Sequence, residues 1–152
     1  MISGDQERAL LDSMRMLNAV ASAAALELRV RCATDITGFG LAGHASHIAR
    51  GSGVTLRIER MRLPLLPGTR EALAAGVRTG GAERNSSYLE PLVDWGSASD
   101  DEKALIVDPQ TSGGLLLAIP PGAVADYLSR VNGATEIGEV IERVDGIAVS
   151  IA

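Results

Sequence analysis

Residues 34–44 read TDITGFGLAGH, which sets Gly38, Gly40 and Gly43 in a G-x-G-x-x-G string. Its flanks restrict what it can be. RVRCAT, residues 29–34, alternates and predicts a strand. Leu41 to Arg50 has helical spacing and predicts a helix closed by Gly51 or Gly53. A strand that turns through glycines into a helix suits a dinucleotide site, another kind of phosphate site, or a tight structural turn. Glu59, 21 residues after Gly38, stands about where a ribose-binding acid would in the dinucleotide pattern. Asp35 argues for the second option. In a dinucleotide turn the first glycine leaves the strand directly, whereas Asp35, Ile36 and Thr37 intervene here. A carboxylate beside a phosphate is repelled by about 4 kcal/mol for unit charges about 4 Å apart at an effective dielectric of about 20. The pairing turns favourable when a divalent cation lies between, as Mg²⁺ does when it bridges carboxylate and phosphate oxygens. The string alone leaves all three readings open.

A second stretch repeats this chemistry. ALIVD, residues 104–108, predicts a short apolar strand, broken by Asp108-Pro109-Gln110-Thr111-Ser112-Gly113-Gly114 and followed by a strand LLLAIP over 115–120. An acid, two hydroxyls and two glycines again follow one another, and glycines let a backbone pass close to another group. A capped strand-to-strand turn is the plain alternative.

Elsewhere the pattern predicts a helix over residues 5–27, a strand over 54–59, a short helix over 69–77 and a helix over 121–131 with proline at its start. Residues 78–101 read as loop with a short helix near 88–93. Residues 135–142 and 146–151 read as two strands joined by a turn at Val144-Asp145-Gly146. Helices and strands in this order predict one layered α+β or α/β domain over residues 1–152. Aromatics are 3% of the chain, so its core must be built from Ala, Val, Ile and Leu. The formal charge of −5 and the lack of a basic block argue against nucleic acid as partner. The N-terminal residues carry charges among the apolar ones, unlike a signal peptide or membrane span. Cys32 is the only cysteine, so no internal disulfide is expected, which suits a cytoplasmic protein. The chain opens directly into a helix, as the C-terminal domain of a longer protein would.

Several single residues weigh less. His44 and His47 share a helix face, where a surface or domain-contact role outweighs zinc binding, which needs further ligands. Arg84 and Asn85 follow Gly80-Gly81 in the predicted loop. They are solvated there, or touch another domain or a phosphate. Arg57, Arg60 and Arg62 read as a solvated strand edge, Trp95 as a packing anchor or partner patch, and Cys32 as a buried inert thiol. Lys103 is the only lysine and has no motif around it.

The pair ATDITGFGLAGH and DPQTSGGLLLAI resembles the C-terminal domain of the selenophosphate synthetase (selenide, water dikinase) family. So do Met14, Leu17-Asn18, Gly80-Gly81, Arg84-Asn85 and Glu136-Ile137-Gly138. The wider superfamily includes aminoimidazole ribonucleotide synthetase and thiamine-monophosphate kinase. The resemblance implies an α/β/α layered domain with a mixed sheet, working beside an N-terminal domain that supplies a reactive Cys or selenocysteine, a lysine and most metal-binding Asp residues. It implies a reaction of ATP, selenide and water giving selenophosphate, AMP and phosphate, with Mg²⁺ as cofactor, in an enzyme that is a homodimer at full length. Asp35 matches the family's metal-binding Asp of this domain, with Thr34 and Thr37 placed to orient it or a bound water. Gly38 and Gly40 would allow close approach, and Asp108, Thr111, Ser112, Gly113 and Gly114 would face the ATP phosphates or the domain junction. Cys32 has no motif like that of the family's reactive Cys, so the domain alone is expected to fold without activity. A related ATP-dependent synthetase or kinase and a non-catalytic scaffold with the same fold are the rival readings.

Overall fold

A computed structural model describes residues 3–152. Two sheets organise it. Strand β1 (Cys32–Asp35) pairs antiparallel with β4 (Leu115–Ala118) and with no other strand among the described residues. The other four strands are β2 (Thr55–Ile58), β3 (Val93–Asp94), β5 (Gly138–Ile141) and β6 (Val149–Ile151). They form a mixed sheet in the order β3-β6-β2-β5, with β2–β5 antiparallel and β2–β6 and β3–β6 parallel. The fold is α+β with a mixed sheet, as expected. The dinucleotide reading fails here, because β1 and β2 belong to different sheets and β1 has no parallel neighbour. Glu59 follows β2 on the far sheet and lies 3.9 Å from the Arg57 guanidinium.

The core of the mixed sheet is aliphatic, as a chain nearly free of aromatics requires. Leu56, Ile58, Val149, Ile151 and Val93 point to one side and are buried. On that side packs helix α3 (Gly40–Ser52), which presents Ala42, Ala45 and Ala49, all at 0% exposure. Alanine at these positions lets α3 lie close to the strands. Helices α5 (Gly80–Leu89) and α6 (Asp100–Val107) complete this layer through Leu89, Ile106 and Val107. Each fully buried aliphatic side chain of this kind contributes roughly 1.5–3 kcal/mol. The opposite side of the sheet carries Arg57, Ser150 and Asp94 in register, with Arg57 ion-paired to Glu139 on β5. Arg60 and Arg62 also have acidic neighbours, Glu102 at 3.0 Å and Glu136 at 3.7 Å. A separate cluster of Ala24, Ala25 and Tyr127 joins helices α2 (Ala19–Glu27) and α7 (Pro121–Arg130) to Leu117 of β4.

Three local expectations give way. The helix expected over 5–27 is two, α1 (Gly4–Arg15) and α2, separated at Met16–Asn18, where the Asn18 side chain bonds elsewhere. Ala104 to Val107 of ALIVD are the last half of α6 rather than a strand, and Asp108 is its C-cap. Ser99 caps α6: its hydroxyl accepts from the Glu102 N–H (3.3 Å) while Glu102 accepts from the Ser99 N–H (2.8 Å). The first part of the loop expected over 78–101 is α5, capped by the Thr79 hydroxyl. The two final strands form as expected, joined through the turn at Val144–Gly146, and they flank β2 on opposite sides. Thr55 ties their turn to β2, its hydroxyl donating to Ile147 O (2.8 Å) and accepting from Val144 N–H (2.9 Å). A further helix, α4 (Thr69–Ala74), precedes Val77. Among the described residues no helix is long and apolar enough to cross a membrane.

Candidate functional site

Alternation along β1 decides where Asp35 points. Ala33 and Asp35 share one side of the strand with their partners Leu117 and Leu115. That side, together with α2, walls an open groove of about 440 Å³ with the Asp35 carboxylate in its lining. Asp35 is exposed, and no side chain or backbone donor among the described residues bonds its carboxylate. Its neighbour Thr34 turns its hydroxyl to the Asp35 backbone carbonyl at 3.0 Å instead.

The chain after Asp35 and the stretch 108–114 lie side by side, laced by backbone bonds. Ile36 N–H donates to Gly114 O and Gln110 N–H donates to Thr37 O, both at 3.0 Å. Asn18, at the break between α1 and α2, donates to Gly113 O at 3.0 Å. Asn85 on α5 donates to both Gly38 O and Val107 O, each at 2.9 Å. The two motifs far apart in sequence thus make one double loop.

The glycines serve this packing in different ways. Gly113 has no room for a side chain: a Cβ there would sit 2.1 Å from Ile36 O. Gly40 has φ +67° and a Cβ position 2.6 Å from the Val107 carbonyl carbon, so α3 starts hard against the end of α6. Gly81, whose Cβ would meet Pro109 Cγ at 2.5 Å, seats α5 against the second loop. The third glycine of the string, Gly43, makes room for the Phe39 side chain, which folds back along α3. Gly38 and Gly114, by contrast, face open space.

His44 has a more internal role than a helix-surface residue. It is buried, and its Nε2 accepts from the Thr37 N–H at 3.0 Å, with the Thr37 hydroxyl at 3.1 Å. Accepting from an amide requires an unprotonated Nε2 and therefore a neutral ring. Burial holds the His44 pKa below its ordinary value, the Asp35 carboxylate opposes this, and His47 reinforces it. Phe39, half exposed, packs edge-on against His47 with ring centres 5.3 Å apart.

Asp108 differs from Asp35. Its Oδ1 accepts from the Thr79 hydroxyl at 2.8 Å and its Oδ2 lies 3.3 Å from Gln110 Nε2. Thr111 and Ser112 are exposed. Arg84 is exposed on α5, whereas the Asn85 amide nitrogen donates to both Gly38 O and Val107 O. Cys32 is half-buried on β1, on the side away from Asp35. The Trp95 ring packs against the main core with its buried Nε1 unpartnered among the described residues. Among those residues no three His, Cys, Asp or Glu side chains gather as a metal site. The donor set therefore fits Mg²⁺ only as one carboxylate among ligands supplied by waters, phosphate or another domain. Asn18 and His44 as loop anchors were not foreseen. Asn18 showed only as a polar residue inside the apolar run of the helix expected over 5–27, and His44 had no signal beyond its place after the glycines.

Residues 2–150 match the family described as AIR synthase related protein, C-terminal domain. The selenide, water dikinase of Trichlorobacter lovleyi is 41% identical over 125 residues, 82% of this chain and 36% of that protein. That of Caldanaerobacter subterraneus subsp. tengcongensis is 39% identical over 138 residues, 88% of this chain and 40% of that protein. Among solved structures, thiamine monophosphate kinase from Aquifex aeolicus superposes with a TM-score of 0.53 at 21% identity, covering 99% of this chain and 41% of that one. That likeness is one of fold. The chain spans little more than a third of the length of the curated relatives it matches.

Proposed function

Because the chain belongs to the family of AIR synthase related proteins, C-terminal domain, we propose that it is the C-terminal domain of a selenide, water dikinase. In this reading residues 1–152 are one domain that completes its site against an N-terminal domain, in a cytoplasmic homodimer. The whole enzyme turns ATP, selenide and water into selenophosphate, AMP and phosphate. The observation that carries the reading is the free Asp35 carboxylate at the groove wall, beside a double loop whose two motifs resemble that family.

Asp35 would hold one position on a Mg²⁺ ion. The metal, when bound, neutralises phosphate charge that would otherwise be repelled by the carboxylate. Thr34 and Thr37 flank the ligand. The Thr37 N–H is bonded to His44, which restrains the backbone on the C-terminal side of Asp35. The open space beside Gly38 and Gly114 and the exposed Thr111 and Ser112 hydroxyls leave the double loop accessible to an anionic ligand or to the junction with the other domain, with Arg84 exposed on α5. The chain supplies positioning and one carboxylate, and the nucleophile for selenium chemistry comes from elsewhere.

The test is release of AMP from ATP with selenide by this chain combined with the N-terminal domain of a dikinase. Activity that Asp35→Asn lowers by about 10²-fold or more supports the reading, the loss typical of one electrostatic contact to the reacting phosphates. Full activity in that variant removes Asp35 from the metal. No activity in the unsubstituted chain, with both parts folded and associated, favours the scaffold reading.

A further inference from the structure

We propose that Asn85 is a positioning residue for the Asp35 metal site, fixing the distance between the Asp35 loop and the Thr111–Gly114 loop. The inference rests on the reading of Asp35 as a Mg²⁺ ligand. Asn85 touches neither the groove nor any group that would react. Its amide nitrogen spends both hydrogens on backbone carbonyls of two other elements, Gly38 O and Val107 O, each at 2.9 Å. Gly38 lies three residues after Asp35, at the entry to α3. Val107 is the last residue of α6, immediately before Asp108. One side chain on a third element therefore sets where each loop leaves its helix.

The chemistry of the residue suits the task closely. Two N–H donors must diverge from one atom on a short stem. Asp has no donor at neutral pH, Ser has one, and Gln carries its amide one carbon further out. The seat of α5 is itself fixed, since Gly81 lies against Pro109 and the Thr79 hydroxyl bonds Asp108. The reference frame that Asn85 applies to Gly38 is thus anchored on the second loop. The remaining ties are the backbone bonds Ile36 to Gly114 and Gln110 to Thr37, which hold the loops in contact, the Asn18 bond to Gly113 O and the Thr37 N–H bond to His44. Of the ties to the Asp35 loop, Asn85 alone reaches it from α5. Without it the glycine entry can rock about those ties, and a cation on Asp35 would no longer sit at one distance from Thr111 and Ser112.

Mn²⁺ is the probe, because it takes oxygen-ligand sites of the Mg²⁺ kind and broadens nearby amide signals steeply with distance. In the 152-residue chain, Mn²⁺ should broaden the amides of Ile36 and Gly38 and, through the fixed spacing, those of Thr111 to Gly114. Asp35→Asn should remove both effects. Asn85→Ser should keep the broadening around Asp35 and reduce that of the Thr111–Gly114 amides severalfold. Asn85→Gln, which retains both donors, keeps the test readable if the serine variant does not fold, and should fall between. A merely structural role would lower the melting temperature while leaving the ratio of broadening on the two loops unchanged in the folded fraction. An unchanged ratio in the folded variants overturns the positioning role while leaving Asp35 as ligand. Absence of any Asp35-dependent broadening in the unsubstituted chain overturns the metal reading and this inference with it.

Discussion

Asp35 and Asp108 begin two loops of nearly the same composition, yet the molecule uses them in opposite ways. Each acid is followed by hydroxyls and glycines, and the loops lie against each other. Asp108 is consumed locally, accepting from Thr79 with Gln110 beside it. Asp35 is left without a donor and faces a groove. An acid with partners holds a structure together. An acid kept free beside a backbone packed this tightly is what the proposed metal site requires. The glycines divide in the same way: Gly40 and Gly113 are packed against backbone, while Gly38 and Gly114 face open space.

The strongest test of that division is the neighbouring pair Gly113 and Gly114. Gly113→Ala must push a methyl against Ile36 O from 2.1 Å, with no flexible side chain to yield, and should cost about 3 kcal/mol or more. Gly114→Ala meets nothing within 4 Å and should change stability by less than about 0.5 kcal/mol. Urea denaturation of the two variants measures both. Equal losses would mean that the loops are not packed as described.

The acids give the next contrast. Asp108→Ala strands the Thr79 hydroxyl and should lower stability by about 1 kcal/mol. Asp35→Ala removes no bond within the fold and should be neutral within about 0.5 kcal/mol. Thr79→Ala should match or exceed the Asp108 effect, at about 1–2 kcal/mol, because the same hydroxyl also caps α5 through the Ala82 N–H at 3.3 Å. A stability loss for Asp35→Ala as large as that for Asp108→Ala would erase the difference between the loops.

How far this contrast was legible beforehand follows from which interactions are local. The charge argument singled out Asp35 as a candidate cation ligand, and the fold leaves it exposed without a local donor among the described residues. Elements with a clear period, such as β2, α3 and α7, were legible too. The α6 helix was mistaken for a strand because its last residues, Leu105, Ile106 and Val107, are apolar and partly β-branched. The decisive signal lay upstream in the box of Ser99 and Glu102. The α5 segment looked like loop because Gly80-Gly81 weakens helix propensity, and the reason for Gly81 is Pro109, 28 residues away. The splitting of β5 and β6 across β2 and the reach of Asn18 to Gly113 depend on contacts of still greater separation. No short window of sequence contains them.

The smallest expected effect concerns His44, which joins the free acid to the fold. Its ring must be neutral to accept from Thr37, and burial holds its pKa below the ordinary value of about 6.5. In the unfolded chain this histidine takes up its proton first. Its contribution to stability is therefore complete above about pH 6.5, declines as pH falls below that value, and levels off once the folded-state pKa has been passed. The carboxylates with lowered pKa values, Glu102 and Asp126, lose their contributions only in more acid solution, which leaves this window to histidine. Asp35 opposes the shift, so Asp35→Asn should push the His44 titration lower still, as should a cation bound to Asp35. Proton NMR of the His44 ring measures this directly. A titration that does not move on removal of Asp35 would mean that the free carboxylate and the buried imidazole do not sense each other.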